Sequence, residues 1–581
     1  MHSVQAHIAN LTRALELEGR HMSLADINLA KTGLRANLVE LNRLANSLAP
    51  VNQLPYDILA MIFKHVTATI DQNQFRYLVG EESDAPAVGT SYNAGRAAAT
   101  ISHVCSHWRH TAMATPRLWT HVDGRCHERV LVFLERARKI PVSLYLFTKS
   151  EALSTLLSLA SLAEQLCRLD VLLEESTEDS DIAVLTSCVA PNLECLTLDA
   201  YPDYRRGRPV PLARIQMLGG KTTFLKALAL RHIGNWMPSN TFPSLSHLHM
   251  TFEWEIDART PDLLAVFANA PNLEFVYIGQ QRYKVDTEPF HADPVVLNRL
   301  RCLTLDCCPY ATAMDLLKHL SLPEHCFVQL NEVDIQQQEG EPRPLPQVGP
   351  LRHPTKLDVV SAEDELFLVA DSDTSGFWLH AHLTSGSNTW YSWLHGLASM
   401  VALSSITSLH ITFDPTHTFW SSVMRHFSVL TELKVNIDEN LFDFDDVCPL
   451  DTLCAILMED SPVLLPLLRD LQVEGTARGD DFKRCSSTIV DMVAFRARTG
   501  HRLRRFLLQP HDWAASLDGW FGARAVELLD VVDMFELVGN ACRALCDFKM
   551  RDMWHVDGAE KYWQPHGTGA FKKYAILLGD H

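Results

Sequence analysis

The chain has 581 residues, of which 47% are hydrophobic and 21% charged, and its formal net charge is −19. A chain of this length exceeds one compact core, so we expect two or more folded units, or one elongated repeat domain with a small module. The acidic balance disfavours nucleic acid and anionic membranes as partners, and no apolar run approaches the roughly 18 residues of a membrane-spanning helix.

Residues 1–50 carry apolar residues at a seven-residue spacing in two stretches of different phase. The phase changes near Gly19 and a Ser23-x-x-Asp26 capping pattern, and Pro50 ends the second stretch. This predicts two amphipathic, coiled-coil-like helices. They would either pack as a hairpin on the following module or mediate self-association, and the sequence favours neither. The spacing is carried by Ile8, Leu15, Met22, Ile27, Leu34, Leu41 and Leu48.

Residues 51–122 predict two further helices and a short third element. Pro55 suits a first helical position, and Asp57 lies in the first turn, where the helix dipole favours a carboxylate. Thr115-Pro116 ends the second helix. Residues 67–100, rich in small and charged residues, predict an inserted, solvent-exposed loop. Apolar residues at helical spacing are Ile58, Leu59, Ile62, Phe63 and Val66 in the first helix and Ile101, Val104, Cys105, Trp108 and Ala112 in the second.

The identity and order of these residues resemble an F-box, a small helical adaptor. The matching pairs are Leu54-Pro55, Ile58-Leu59, Ile62-Phe63, Val104-Cys105, Trp108-Arg109 and Leu118-Trp119. The resemblance implies a surface that binds the Skp-type adaptor of a cullin ubiquitin ligase. The insertion at 67–100 departs from the short connection that is typical of the family. Residues implied at that interface, or supporting it, are Leu54, Pro55, Ile58, Leu59, Ile62, Val104, Cys105, Trp108, Leu118 and Trp119.

Residues 123–512 repeat a Leu-x-x-Leu-x-Leu pattern, with copies at Leu245, Leu273 and Leu300 that are 28 and 27 residues apart. Ala190-Pro-Asn-Leu193 and Ala270-Pro-Asn-Leu273 precede two copies in nearly the same form. Apolar helical patterns between copies predict returns behind the strands. We therefore expect an α/β fold in which the helical module precedes an irregular leucine-rich-repeat-like solenoid of parallel strands and helical returns. Further copies begin at Leu193, Leu225, Leu330, Ile406, Leu430, Leu468 and Leu503.

Two regions depart from the repeat. Residues from about 336 to 400 fit it badly, which indicates an insertion or decayed repeats, and residues 513–581 predict a C-terminal cap that covers the last repeat. The outward positions of the repeat strands differ in chemistry from copy to copy, so we expect them to form a surface for a protein substrate. The candidates are His249, Tyr277, Thr304, Asp334, His410 and Lys434.

No catalytic, metal or cofactor site is expected. Gly219-Gly-Lys-Thr222 resembles the end of a phosphate-binding loop, but Ile215 stands where that motif requires its first glycine. The 27 histidines and 14 cysteines show no spacing of a zinc site, and no nucleophile motif is present. A basic cluster predicts a solvated face rather than a nucleic-acid site: Lys483, Arg484, Arg496, Arg498, Arg502, Arg504 and Arg505.

The scattered cysteines and the lack of a secretory-signal pattern favour an intracellular location, cytoplasmic or nuclear. The architecture resembles F-box proteins with leucine-rich-repeat-like regions, of the kind abundant in mushroom-forming fungi. The resemblance implies a non-catalytic substrate-recognition subunit of a Skp-cullin-F-box ubiquitin ligase. The alternative is a non-ligase scaffold whose F-box is vestigial or only tethers the adaptor, and a hydrolase on an α/β solenoid is disfavoured by the failed motifs.

Overall fold

A computed structural model gives the structure of the protein, which divides into an N-terminal unit, residues 1–145, and a C-terminal unit, residues 146–581. The structure describes residues 2–69, 90–124, 127–148, 160–173, 189–200, 213–233, 236–252, 260–279, 293–335, 345–362, 365–383, 396–412, 422–437, 449–460, 463–475, 485–510, 521–538 and 556–562.

The first two helices are α1, His2–Glu18, and α2, Leu24–Leu48, with a short 3-10 turn over Gly19–His21 between them. The predicted capping pattern forms, because the Ser23 hydroxyl accepts from the Asp26 backbone N–H and the Asp26 carboxylate accepts from that of Ser23. The helical prediction for this stretch is confirmed. No residue of α2 is buried, so the apolar residues that recur every seven positions along this helix are accessible to solvent.

The rest of the N-terminal unit consists of α3 (Tyr56–Thr69), α4 (Thr90–Val104), α5 (Ser106–Met113), a 3-10 turn (Pro116–Trp119), β1 (His121–Asp123) and α6 (His127–Ala137). The predicted loop at 67–100 was wrong at both ends, since residues 67–69 and 90–100 are helical. Its centre, 70–89, lies outside the described residues. The loop prediction rested partly on the small residues Ala97, Ala98 and Ala99. Alanine is the strongest helix former, so these residues favour the helix instead.

The predicted second helix is divided at Cys105. The backbone of Cys105 is extended, and its sulfur accepts from the Trp108 backbone N–H at 3.4 Å, so Cys105 caps α5 instead of continuing α4. The break changes the direction of the chain directly before Trp108. Trp108 then packs its ring on Phe63 of α3, with ring centroids 4.9 Å apart.

Trp119 forms the centre of the N-terminal unit. Its indole N–H donates to the Ala112 carbonyl at 2.9 Å, its ring meets Phe133 of α6 edge-on at 5.0 Å, and the Arg136 guanidinium lies 4.4 Å above it. Directly after Trp119 in the chain, β1 pairs in parallel with residues 143–145 of β2 (Val142–Thr148). Trp119 therefore fixes α5, the turn and α6 around one core.

Gly95 marks a close approach of α4 to β1. A Cβ at this position would lie 2.9 Å from the His121 carbonyl oxygen, whereas a Cβ at Gly33 in α2 would meet nothing within 4 Å. We expect Gly95→Ala to lower the free energy of unfolding by about 1–3 kcal/mol, because the backbone oxygen must move. The matched change Gly33→Ala is expected to raise helix stability by up to about 1 kcal/mol. Urea unfolding of both variants, followed by circular dichroism, measures the difference; equal midpoints would contradict the close approach.

The C-terminal unit is built on one large, mostly parallel sheet. Its strands are β3 (Leu166–Leu173), β4 (Cys195–Ala200), β6 (Ala227–Ile233), β8 (His247–Phe252), β9 (Phe275–Gly279), β11 (Cys302–Asp306), β13 (Phe327–Ile335), β14 (Lys356–Ala362), β15 (Glu365–Asp371), β16 (Gly376–Leu383), β17 (Ser408–Thr412), β18 (Glu432–Ile437), β19 (Asp470–Gly475), β20 (Arg505–Pro510) and β21 (Met534–Leu537). They lie side by side in chain order, except that β16, β15 and β14 follow β13 in reverse order. Small parallel pairs lie outside it: β5, Ala213–Ile215, with β7, Trp236–Pro238, and β10, Val295–Val296, with β12, Leu320–Ser321.

Five of the repeated leucines end the same kind of turn, whereas Leu330 lies within β13 and pairs with Leu305, so the copy predicted to begin there is out of register. The backbone N–H of Leu193 donates to the carbonyl three residues earlier, and Leu225, Leu245, Leu273 and Leu300 do the same. All five side chains are buried. The repeating Leu-x-x-Leu-x-Leu pattern is therefore a structural repeat of turn and parallel strand.

The matching Pro-Asn pairs tie successive repeats together. The Asn192 side-chain amide donates to the Glu164 carbonyl at 2.8 Å, and the Asn272 amide donates to the Pro243 carbonyl at 2.7 Å. The Glu164 carbonyl lies at the end of the helix Ala160–Gln165 and the Pro243 carbonyl in the turn before β8, so each asparagine bonds the main chain that leads into the preceding strand. This common hydrogen bond explains why Ala190-Pro-Asn-Leu193 and Ala270-Pro-Asn-Leu273 are nearly identical.

Helices return the chain behind the sheet. The described ones are α7 (Ala160–Gln165), α8 (Thr260–Ala268), α9 (Tyr310–Lys318), α10 (Leu397–Met400), α11 (Pro449–Leu457), α12 (Ser486–Arg498) and α13 (Ala525–Val531). The predicted returns at Leu263 and Met314 fall in α8 and α9, with both side chains buried. The α/β fold with helical returns is thereby confirmed in its coarse form.

The irregular region at 336–400 is an antiparallel insertion. Strands β14, β15 and β16 form an antiparallel meander, in which β16 pairs in parallel with β13 and β14 pairs in parallel with β17. The meander joins the two parallel parts of the sheet without a gap. Residues 336–344, 363–364 and 384–395 of this region lie outside the described part.

The predicted C-terminal cap, 513–581, is described at residues 521–538 and 556–562. Strand β21 pairs in parallel with β20 and extends the last repeat. Residues 556–562 instead contact Arg168, His247 and Arg301, which belong to the first repeats. A cap confined to the last repeat is therefore wrong for this segment, because its hydrogen bonds reach strands far earlier in the chain.

Candidate functional site

Helix α3 carries two apolar stripes. Leu59 and Phe63 are buried in the N-terminal unit, one helical turn apart. Ile58, Ile62 and Val66 follow the same four-residue spacing one position earlier, which places them on a neighbouring face. Ile62 and Val66 are each 40% exposed and Ile58 is half-buried, so the second stripe presents apolar surface to solvent.

The ten predicted adaptor-binding residues fall into three classes. Leu59, Leu118 and Trp119 are buried and so support the module from within rather than touch a partner. Leu54, Ile58, Cys105 and Trp108 are half-buried. Pro55, Ile62 and Val104 are exposed.

Trp108 acts as an internal pin. Its ring contacts Phe63, and its indole N–H donates to the Asn52 side-chain oxygen at 2.5 Å. The hydrogen bond ties α5 to the residues before α3. This geometry favours the supporting role over the role of an exposed interface anchor.

Three exposed apolar side chains extend the surface of α3 beyond the predicted set: Tyr56, Met61 and Val66. The Tyr56 hydroxyl lies 3.3 Å from the Thr115 hydroxyl, so its ring is fixed near the end of α5. Met61 is next to Ile62 on the helix. Counting four residues on from Ile58 and Ile62 would have identified Val66, whereas Tyr56 required the three-dimensional contact. We call Tyr56, Ile58, Met61, Ile62 and Val66 the α3 surface.

The second candidate is a row of side chains across the sheet, which we call the cross-strand row. Residues in register on neighbouring strands lie on one face of a sheet, and each member of the row is in register with the next. The row runs through Asp170, Thr197, Ala229, His249, Tyr277, Thr304, Gln329, Trp378, Val369, Asp358, His410, Lys434, Gln472, Leu507 and Glu536.

Five of the six predicted substrate-binding residues lie in this row, in two groups. His249, Tyr277 and Thr304 are direct neighbours, and so are His410 and Lys434. The insertion of β14 to β16 separates the groups. His249, Thr304 and His410 are only 3%, 6% and 7% exposed, so they form the floor of this face rather than its outer surface.

The placement of Asp334 in this row was wrong. Gln329 is the residue of β13 that pairs with Thr304, whereas Asp334 pairs with His382 of β16. The register shifts between Leu330 and Val333 at a β-bulge. The error came from the start chosen for the repeat copy. The sequence pattern began this copy at Leu330, whereas the structure pairs Leu330 with Leu305, the last leucine of the preceding copy, so the selected residue lies five positions too late.

The first group is part of a buried polar network. The Tyr277 ring stacks on His249 at 4.4 Å, and its hydroxyl donates to the Asp306 carboxyl at 2.5 Å. Burial raises the pKa of Asp306 to about 6 and raises the pKa of Tyr277 well above its usual value. The network fixes the tyrosine ring and offers hydrogen-bonding groups, but no activated nucleophile.

Arg231 and Asp199 add a buried ion pair to the same face. The Arg231 Nη1 donates to Asp199 Oδ2 at 2.8 Å, and both side chains are almost fully buried. Burial lowers the pKa of Arg231. The pairing offsets part of the cost of burying the two charges, which favours a structural role for this pair.

The second group is more open. His410 Nδ1 lies 3.6 Å from Asp358 Oδ1, and Lys434 Nζ lies 4.0 Å from Glu474 Oε2. Lys434, Gln472 and Glu536 are half-buried. These charged and polar groups meet solvent at the C-terminal part of the sheet.

Asp371 gives the C-terminal unit a pH dependence. Burial and the nearby Asp358 carboxylate raise the pKa of Asp371 to about 7. Because the unfolded chain releases this proton near pH 4 and the folded chain near pH 7, the stability from this group is fully present below pH 4 and is lost as the pH rises from about 4 to about 7.

We expect the gain in free energy of unfolding from Asp371→Asn to be larger at pH 8 than at pH 5 by about 2–3 kcal/mol, because the wild-type chain loses about 1.4 kcal/mol per pH unit between pH 5 and pH 7. Thermal unfolding at both pH values measures this. Asp530→Asn, at an exposed position of α13, is the control and is expected to change stability by less than about 0.5 kcal/mol at either pH. A gain from Asp371→Asn that is equal at pH 5 and pH 8 would contradict the raised pKa.

The basic cluster does not form a common solvated face. Arg496 is 0% exposed, while Arg502, Arg504 and Arg505 pair with Asp533, Asp470 and Glu536. The expectation of a solvated residue is therefore wrong for Arg496. Lys483 and Arg484 lie outside the described residues.

Within the described part of the chain, no three His, Cys, Asp or Glu side chains come together in a way that could hold a metal ion. No helix among those residues has the length and apolar character needed to cross a membrane. Comparison with models of known protein families finds no match, and a search of curated proteins finds no match either.

Proposed function

We propose that the protein is a non-catalytic substrate-recognition subunit of a Skp-cullin-F-box ubiquitin ligase. In this proposal residues 51–122 are an F-box that binds the Skp-type adaptor, and the leucine-rich-repeat-like sheet binds a protein substrate. The observation that carries it is the exposed stripe of the α3 surface, which lies on the helix that resembles the F-box most closely.

The physical reason is that an apolar stripe at helical spacing favours a binding surface when no core covers it. Ile62, Met61 and Val66 are 40–55% exposed, while the neighbouring Leu59 and Phe63 hold α3 firmly on the module. Such a helix is preorganised, so binding costs little conformational entropy. Burying the stripe against an adaptor would remove apolar surface from water, which is the main source of affinity at protein interfaces.

The substrate-binding role is assigned to the cross-strand row. His249, Tyr277, Thr304, His410 and Lys434 keep their proposed role, and Gln329 replaces Asp334. Neighbouring members of the row differ in charge and shape, which suits recognition of one partner. A mixed polar surface gives specificity by leaving groups unpaired when the wrong partner binds.

Co-precipitation tests the proposal. The tagged chain is expected to recover both the Skp-type adaptor and the cullin, while a Leu54→Ala and Pro55→Ala double variant loses both and keeps its circular dichroism spectrum. Recovery of the adaptor without the cullin would favour the non-ligase scaffold. Undiminished recovery by the double variant would refute the assigned surface.

A further inference from the structure

Residues 556–562 contact Arg168, His247 and Arg301 of the first repeats. Arg168 and His247 lie on their strands two positions before Asp170 and His249 of the cross-strand row. Three side chains from different repeats donate hydrogen bonds to this segment, and every acceptor is a backbone carbonyl. These three hydrogen bonds therefore depend on the path of the segment's main chain. The hydrogen bonds run from Arg168 Nη2 to Tyr562 O (3.1 Å), from His247 Nε2 to Gly558 O (2.9 Å) and from Arg301 Nη1 to Asp557 O (2.7 Å).

His247 is fixed in one tautomer by these contacts. The Gly558 carbonyl only accepts, so Nε2 carries the proton, and Nδ1 accepts from the Ser246 hydroxyl at 2.8 Å. Burial lowers the pKa of His247 to about 4, which keeps the ring neutral at physiological pH. The ring packs against Phe275 at 4.5 Å and meets the Tyr562 ring edge-on at 4.9 Å.

Gly558 shapes the segment. Its φ of 96° is a left-handed conformation that L side chains rarely adopt, and a Cβ there would still keep 3.7 Å from the Phe275 ring. The requirement for glycine therefore comes from the backbone turn and not from lack of space. The turn directs the carbonyls of Asp557 and Gly558 toward Arg301 and His247.

Residues 556–562 bury few of their side chains against the first repeats, so another peptide can displace them. Of the described side chains in 556–562, only Val556 is buried, while Asp557 and Lys561 are exposed. Arg301 is also exposed, and its guanidinium lies 5.3 Å from the Phe275 ring centroid. A short segment with mostly exposed or half-buried side chains is easier to displace than a packed core element.

We propose that Arg168, His247, Phe275 and Arg301 form a peptide-binding site, which residues 556–562 fill within the chain and a partner's glycine-turn peptide fills in their place. The partner peptide has glycine at the turn and an aromatic residue four positions later, as Gly558 and Tyr562 are spaced here. This inference rests on the proposed function in one respect, that the partner is a protein substrate. The chain's own segment then acts as a competitor of the substrate.

A labelled peptide with the sequence of residues 556–562 tests the site by fluorescence anisotropy on the full chain. Gly558→Val should release the internal segment, because valine disfavours a φ of 96°. We expect the peptide to bind this variant at least roughly tenfold more tightly than wild type, since the site is then open. Adding Arg301→Ala to the Gly558→Val chain is expected to reverse most of the gain.

Gly500→Val is the matched control, because Gly500 also has a positive φ, of 85°, and a Cβ there would meet nothing within 4 Å. It should bind the peptide as wild type does. Tyr562→Ala is a second release variant, expected to act in the same direction as Gly558→Val, and circular dichroism checks that both chains fold. Equal affinity for wild type and both release variants, or binding that ignores Arg301→Ala, would overturn the site. Adaptor binding is measured separately on the same variants, so a failure of the peptide site is distinguishable from a failure of the ligase proposal.

Discussion

Ile62→Asp is expected to weaken binding of the Skp-type adaptor by at least about 100-fold, which corresponds to about 2.7 kcal/mol. Covering an isoleucine side chain contributes about 1.5–3 kcal/mol, and an unpaired carboxylate in the interface adds a desolvation cost. Ile62 is 40% exposed before binding, so the change should leave the fold of the N-terminal unit intact. Isothermal titration of the purified chain with adaptor measures the loss.

Leu131→Asp provides the matched control for this experiment. Leu131 lies on α6 of the same unit and is 44% exposed, so it loses a similar apolar surface outside the α3 surface. Its affinity for the adaptor should stay within about threefold of wild type. Equal losses from Ile62→Asp and Leu131→Asp would mean that the adaptor does not select α3.

Arg496→Ala is expected to cost about 3–5 kcal/mol of the stability of the C-terminal unit. The fully buried guanidinium donates from Nη1 to the Leu464 carbonyl at 3.1 Å and from Nη2 to the Leu465 carbonyl at 2.8 Å. Burial lowers its pKa to about 10, so it remains charged at neutral pH. Truncation would leave both carbonyls unpaired beside a cavity.

The neighbouring turn explains why a cation is placed there. Leu465 has a φ of 50°, an unusual value for a residue with a side chain, and its turn directs consecutive carbonyls toward α12. The guanidinium is a planar donor that reaches two of them at once. Arg496 therefore ties α12 to the turn before β19.

Arg498→Ala is the control, because Arg498 lies two residues later on α12 and is exposed. It is expected to change the free energy of unfolding by less than about 0.5 kcal/mol. Urea unfolding of both variants gives the comparison. Matching midpoints for the two alanine variants would show that Arg496 does not hold the turn.

Local patterns in the sequence were enough to predict the repeated elements. The turn leucines, the Ser23–Asp26 cap and the helical returns each depend on residues close together in the chain. Ile62 and Phe63 could also be assigned to their helix by spacing alone. The spacing does not show which of the two apolar stripes of α3 is buried, because that depends on contacts with Trp108 and the rest of the N-terminal unit.

Features that depend on distant residues were not predictable in this way. The error at Asp334 came from starting a repeat copy at Leu330, which pairs with Leu305 at the end of the preceding copy. The burial of Arg496 depends on the carbonyls of a turn more than 30 residues earlier. The docking of residues 556–562 on Arg168 and His247 joins parts of the chain more than 300 residues apart, and no periodic pattern records such a contact.

The proposed role as a subunit of a Skp-cullin-F-box ligase is tested most directly by reconstitution from purified components. The full chain, a Skp-type adaptor and a cullin are mixed and separated by size-exclusion chromatography, with Ile62→Asp run in parallel. We predict one peak that contains all three proteins for the wild-type chain and a separate peak for the Ile62→Asp chain. A folded wild-type chain that elutes apart from both the adaptor and the cullin would contradict the proposed function.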